Sequence, residues 1–225
     1  AASLTEPLDR LLRDAGALLA TPKRFDPKTS TRRFRISTSD YMEIVLMPHV
    51  LERLAEEAPN IDLVMVRHGL STAELDDGEV DLMMVPPGPL ERSSVRTQRI
   101  LDEKFVCVVR AEHPLVGKKL TLDRFVELGH VLVSPRGDSI GLVDHALAKV
   151  GRTRRVAVVV PHFLVGPFLI ERTDYVLTVA ARIARSLAPA VKLKILPVPS
   201  ELDLPGFDVR LVWHERDHAD PAHAW

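Results

Sequence analysis

Phe34-Arg35-Ile36-Ser37-Thr38-Ser39-Asp40 is the stretch on which the fold turns. Arg33 to Ser37 alternates as a strand does, and hydroxyl and carboxylate residues then introduce a helical pattern over Met42 to Glu57, with apolar positions at Ile44, Val45, Met47, Val50, Leu51 and Leu54. A strand running into a helix opens a βαβ unit. Continuing outward, Ile61 to Val66 reads as a strand and Ser71 to Asp76 as a short helix ending near Gly78. Val80 to Val85 is a continuous apolar run of the kind found in strands buried on both faces.

A second α/β unit follows. Strands are expected at Phe105 to Arg110, Val131 to Ser134, Arg155 to Val160, Tyr175 to Thr178, Leu193 to Leu196 and Asp208 to His214. Helices are expected at Leu122 to Leu128, Gly141 to Val150, Val165 to Glu171 and Ala180 to Ala188. Upstream, Leu8, Leu11, Leu12, Ala15, Leu18 and Leu19 form one apolar face of a helix over residues 5 to 20, a stripe that calls for a partner. Residues 21 to 30 hold Pro22, Pro27 and several turn formers, which mark a linker.

With 225 residues, 46% hydrophobic and 27% charged, the chain has the composition of a globular protein with a sizeable core. Thirty Lys and Arg against 31 Asp and Glu leave a formal charge of -1, so the bulk positive field of an autonomous DNA-binding domain is missing. The single cysteine, Cys107, excludes an internal disulfide and points to an intracellular setting, and the sequence holds neither a membrane span nor a signal peptide pattern. A cytoplasmic location is expected.

Three strand ends carry the candidate chemistry. Thr38 and Ser39 stand where an open α/β sheet binds ligands, at a strand end before a helix start that favours anions; the same residues also suit helix capping, and Asp40 reads as the structural cap. Ser134-Pro135-Arg136-Gly137 is the corresponding turn of the second unit, where Arg136 could pair with a carboxylate or simply be solvated. Pro161-His162-Phe163 offers an imidazole and an aromatic wall, or a histidine engaged within the protein.

Other motifs point nowhere catalytic. The Gly137 to Gly141 spacing fits no nucleotide-binding loop, and no cofactor is expected. His214, His218 and His223 tempt a metal reading, but His214 ends a strand, where a spacing of four does not align two imidazoles, so no metal site is expected. No nucleophile elbow occurs and Cys107 lies in an apolar strand, so catalytic residues are not assigned.

Taken in order, Phe34 to Asp40, Gly78-Glu79-Val80-Asp81-Leu82 and Phe105 to Arg110 with Glu112-His113-Pro114-Leu115 resemble the effector-binding region of LysR-type transcriptional regulators. Asp26-Pro27, Val160-Pro161-His162-Phe163, Trp213-His214-Glu215 and Asp220-Pro221 resemble the branch holding nodulation regulators and regulators of aromatic-compound degradation. The resemblance implies an α/β fold of two Rossmann-like subdomains of periplasmic-binding-protein type. On that reading residues 1–30 are the end of a dimerisation linker helix and a hinge, 31–109 the first part of subdomain I, 110–207 subdomain II, and 208–225 the return to subdomain I.

It also implies a small aromatic or carboxylate-bearing effector in the cleft, between Thr38, Ser39 and the Pro86-Pro87 turn on one side and Ser134, His162, Phe163 and Thr178 on the other. A homodimer or homotetramer is implied, with DNA contacted through a winged helix-turn-helix that is not part of this chain. A periplasmic-type solute-binding protein for transport is the rival reading, and an enzyme on the same two-lobed fold is the third.

Overall fold

A computed structural model of the chain describes residues 25–67, 72–86 and 94–225. The helix expected over residues 5 to 20 and Pro87 lie outside the described residues. In chain order the elements are β1 (Arg33–Thr38), α1 (Asp40–Val45), α2 (Met47–Glu57), β2 (Asp62–Arg67), α3 (Ala73–Asp76), β3 (Leu82–Val85), β4 (Val95–Glu103) and β5 (Phe105–Arg110). They continue as α4 (Leu122–Glu127), β6 (Gly129–Val133), α5 (Leu142–Lys149), β7 (Arg155–Val160), α6 (Val165–Glu171) and β8 (Val176–Ala180). The last are α7 (Ala181–Leu187), β9 (Leu193–Pro197), β10 (Phe207–His214), a 3-10 turn (Glu215–Asp217) and α8 (Pro221–Ala224).

These strands form two five-stranded sheets, ordered β2-β1-β3-β10-β4 and β7-β6-β8-β5-β9. Each is built on a parallel trio, with β1 between β2 and β3 in the first lobe and β6 between β7 and β8 in the second. An antiparallel strand flanks each trio: β10 pairs with β3, and β5 with β8. Two Rossmann-like lobes result, and the chain passes between them at Lys104 and again at Gly206.

Three sequence expectations change. Phe105 to Arg110 hydrogen-bonds to β8 and β9, so residues 105–109 belong to the second sheet and the first crossing comes at Lys104 rather than after Val109. The helix expected to run unbroken from Met42 to Glu57 is two helices with Leu46 between them, because Pro48 has no N–H for the Ile44 carbonyl and its ring crowds that turn. β4 escaped the sequence reading: as an edge strand it leaves Arg96, Thr97, Gln98 and Arg99 exposed, so it lacks the apolar alternation of a half-buried strand.

The second lobe is held by a buried polar group as well as by its apolar core of Cys107, Val109, Phe125, Leu147, Val176 and Leu196. His130 is fully buried, with Nε2 at 2.8 Å from the Phe125 carbonyl and Nδ1 at 3.2 Å from Nη1 of Arg154. A carbonyl only accepts, so Nε2 carries the proton and Nδ1 accepts from the guanidinium. Arg154, its side chain 1% exposed, grips Asp144 through Nε and Nη2 at 2.8 Å each. Asp144 in turn accepts from the Gly141 N–H at 2.8 Å, which fixes the start of α5. The network ties α5 to β6 and to the approach to β7.

The two ends of the described chain meet on the first lobe. Asp220 caps α8 by accepting from Ala222 N–H at 2.9 Å and also pairs with Arg32. Arg32 lies over the Phe34 ring at 4.6 Å, and Phe25 meets Trp225 at 5.7 Å. Asp26-Pro27 and Asp220-Pro221 are therefore the two turns that seat the ends of this lobe.

Burial, with the Arg154 charge second, holds the His130 imidazole down at about 4 from an ordinary 6.5. A base harder to protonate when folded stabilises the fold above its unfolded value, and that contribution disappears as pH falls through the folded one. Thermal unfolding should therefore lose up to about 3 kcal/mol of stability between pH 6.5 and 4. In His130→Asn the loss within that window should be absent, on a lower overall stability.

Candidate functional site

In both sheets the chain leaves a central strand to one side and returns on the other, which places a switch point at the ends of β1 and β6. Thr38 is the last residue of β1, and Ser134 follows β6, held to the sheet by its N–H donating to the Val160 carbonyl at 2.8 Å. Both are buried, at 1% and 8% exposure. Thr38 Oγ1 has no hydrogen-bond partner among the described residues although it is shut away from solvent. Such a group costs about 1–3 kcal/mol unless something bonds to it.

Three contacts join the lobes beside these strand ends. The Asp40 carboxylate accepts from the Leu164 backbone N–H at 2.8 Å, the Tyr41 and Phe163 rings stand 5.9 Å apart, and Nη2 of Arg67 donates to the Pro135 carbonyl at 3.3 Å. The segments carrying Thr38 and Ser39, His162 and Phe163, and Ser134 are thereby brought to one cleft. Phe163 is half-buried against Tyr41, while His162 is exposed. Pro86 is exposed directly after β3, at the same end of the sheet as Thr38. Thr178 lies two residues before the end of β8, its hydroxyl 3.8 Å from Cys107 Sγ.

Asp40 is not the cap that the sequence suggested. Ser39 takes the capping position with extended backbone and makes no side-chain capping bond, and Asp40, one residue inside the helix, reaches across the cleft instead. Arg67 was missed altogether. The logic that selected Thr38 would have found it, because β2 lies beside β1 and Arg67 is in register with Thr38. Arg136 pairs with its neighbour Asp138 at 3.2 Å.

The remaining motif residues are absorbed structurally. His214 accepts from Arg216 N–H at 3.1 Å, His218 stacks on Trp213, and His223 packs edge-on to Phe34, so the three histidines face different partners. Burial pushes the Cys107 thiol up to about 12, which leaves it protonated and a poor nucleophile.

The profile of the LysR substrate binding domain matches residues 27–225. The chain belongs to the LysR substrate-binding domain family. It is 34% identical over 227 residues to the HTH-type transcriptional activator NahR of Pseudomonas putida, covering 100% of this chain and 75% of that protein. To nodulation protein D 1 of Sinorhizobium fredii it is 31% identical over 202 residues, covering 89% of this chain and 62% of that protein. The first of these is a transcriptional activator and the second a nodulation protein, and neither is named as a transport protein.

Among solved structures, the probable transcriptional regulator PA0477 from Pseudomonas aeruginosa superposes with a TM-score of 0.86 at 31% identity, over 100% of this chain and 73% of that one. The effector-binding domains of BenM with benzoate and of QuiR with shikimate share the fold, with TM-scores of 0.65 and 0.68 at 15% and 14% identity. No described helix is long and apolar enough to cross a membrane.

Behind the cleft of this LysR domain, the two crossings touch. Glu103, 4% exposed, accepts from the Tyr41 hydroxyl at 2.6 Å, from Lys104 N–H at 2.8 Å and from Arg182 N–H at 3.3 Å. Tyr41 belongs to α1 in the first lobe and Arg182 to α7 in the second, so one carboxylate joins both lobes to the crossing strand. Burial, and then the bond to Glu103, push the Tyr41 phenol well above its usual value, so it remains a donor. A Cβ on Gly206 would come within 2.4 Å of the Glu103 carbonyl oxygen, which only glycine avoids. A groove of about 990 Å³ runs along this hinge past Lys104, Phe105, Arg185 and Phe207; Thr38 and Ser134 do not line it.

Tyr41→Phe removes a buried hydrogen bond to a carboxylate and should lower stability by roughly 1.5–3 kcal/mol in urea unfolding. Combined with Glu103→Gln, the two losses should fall short of their sum by about 1 kcal/mol or more, since the residues share one contact. Additive losses would show that Tyr41 and Glu103 act independently.

Proposed function

We propose that this domain senses a small aromatic or carboxylate-bearing effector, held between Thr38, Ser39 and Pro86 on the first lobe and Ser134, His162, Phe163 and Thr178 on the second. The observation that carries the reading is the Thr38 hydroxyl, buried without a partner at the switch point of its sheet. A ligand oxygen there would satisfy it, and the Tyr41–Phe163 pair supplies an aromatic wall beside it. That BenM holds benzoate and QuiR shikimate on the same fold supports an effector of this size and chemistry.

The domain acts within a cytoplasmic LysR-type regulator and catalyses nothing. DNA is contacted by a winged helix-turn-helix belonging to the whole regulator. No metal or cofactor takes part. Effector binding biases the relative positions of the lobes, and the regulator reads that bias as a change in its DNA complex.

Three measurements test this reading. In a thermal-shift screen of small aromatic acids and flavonoid-like compounds, a ligand at one hundred times its Kd should add about 2.7 kcal/mol of stability. Thr38→Val, which keeps the shape and removes the hydroxyl, should weaken that ligand by roughly 1–3 kcal/mol while leaving the unliganded fold intact, and His162→Ala should do the same. Unchanged affinity in either variant removes that residue from the site. Sedimentation at micromolar concentration should show a dimer or tetramer, and a 25.1 kDa monomer alone would contradict the assembly.

A further inference from the structure

Arg67 is a cation placed at the cleft with no counter-ion among the described residues. It ends β2 in register with Thr38 on β1, its side chain is exposed, and its guanidinium spans the gap between the lobes. Its contact there is to a neutral acceptor, the Pro135 carbonyl, through Nη2 at 3.3 Å. No acidic side chain pairs with Arg67 among the described residues, whereas the other charged groups at these strand ends are engaged. Asp40 is held by the Leu164 N–H, and Arg136 by Asp138. A guanidinium has five donors in a fork that matches a carboxylate, so most of its hydrogen-bonding capacity is unspent here.

A second observation converges on the same place. On the strand beside it, Thr38 is 1% exposed and its Oγ1 has no partner among the described residues, so an unpartnered hydroxyl adjoins a donor fork that the described protein engages only through the Pro135 carbonyl. Ser134, also buried, is bonded directly to Pro135, the residue that Arg67 reaches. An anion with two oxygens would complement this set.

We propose that Arg67 anchors the effector's carboxylate, with the Thr38 hydroxyl donating to the same group and the apolar body of the ligand lying toward Tyr41 and Phe163. The effector class is then an aromatic monocarboxylate rather than a neutral phenol or a flavonoid-like ring system. This assignment rests on the cleft being the effector site. In the ligand-bound state the Arg67 fork turns from the Pro135 carbonyl to the carboxylate, a charge-assisted and bidentate contact in place of a long neutral one.

Benzoate and its neutral isostere benzamide are suitable probes, titrated calorimetrically into the full chain. Benzoate should bind the wild type at least about tenfold more tightly than benzamide, and its affinity should weaken as salt is raised. Arg67→Gln should lose about tenfold or more for benzoate, leave benzamide unchanged and flatten the salt dependence, while Arg67→Lys should restore only part, lacking the fork. Benzoate binding equally well to wild type and Arg67→Gln would overturn the anchor. If Thr38→Val and Phe163→Ala then still weaken benzoate, the cleft reading survives that failure, and if they do not, the cleft reading falls with it. Equal binding of benzoate and benzamide, or none by either at millimolar concentration, would overturn the carboxylate class.

Discussion

The chain must pass between its lobes twice at one place, and the packing of those two passages is the constraint from which the site follows. Gly206 allows the returning strand to lie against the backbone of Glu103, and Phe207 pairs with Glu103 at the start of the β4–β10 ladder. The Glu103 side chain beside this close approach is buried, 4% exposed. A buried carboxylate is costly unless its lone pairs are filled, and here the Tyr41 hydroxyl and two backbone N–H groups fill them. Because those donors come from α1, the crossing and α7, satisfying one charge fixes three elements across two lobes.

That hinge sets the distance at which the strand ends face each other. α1 rests on α7 through Tyr41, Met42, Ile183 and Ala184, all in one apolar cluster that runs through both lobes. Asp40 and Tyr41 are consecutive, so the hinge bond to Glu103 and the cleft contacts to Leu164 and Phe163 originate within one turn of helix. A small rotation of α1 about the hinge therefore moves the cleft wall directly. Pro48, by ending α1 after Val45, frees that short helix from the direction of α2.

Much of this was legible in the sequence, for physical reasons that also explain what was not. Interior strands such as Leu82 to Val85 announce themselves because burial demands apolar residues, and Thr38 could be found because a sheet's switch point is fixed by strand order. β4 could not be found, since one edge of it faces solvent and tolerates Arg, Thr and Gln. The sheet membership of β5 was hidden because its apolar pattern is the same in either lobe, and only its pairing with β8 and β9 decides. Asp40 and Arg67 act across the cleft, between residues 124 and 68 positions apart, and no local pattern records a contact of that range. Glu103 was silent for a related reason: a single acid after a strand becomes informative only once its burial is known.

The cleft contacts are well suited to being exchanged rather than kept. Asp40 to Leu164 and Arg67 to Pro135 each join a charged side chain to a backbone group at a wet surface, where such bonds are individually worth little. Glu103, by contrast, is 4% exposed and accepts three hydrogen bonds, so its contacts are costlier to break. The energetic division is thus between a durable hinge and a weakly held mouth, separated by a single residue step from Asp40 to Tyr41. A ligand seated at Thr38, as proposed, would have to outcompete the Asp40 and Arg67 contacts and would satisfy the Thr38 hydroxyl in changing the preferred spacing of the lobes. Its affinity for the rearranged cleft, less its affinity for the cleft held by Asp40 and Arg67, is the whole of the free energy available for signalling.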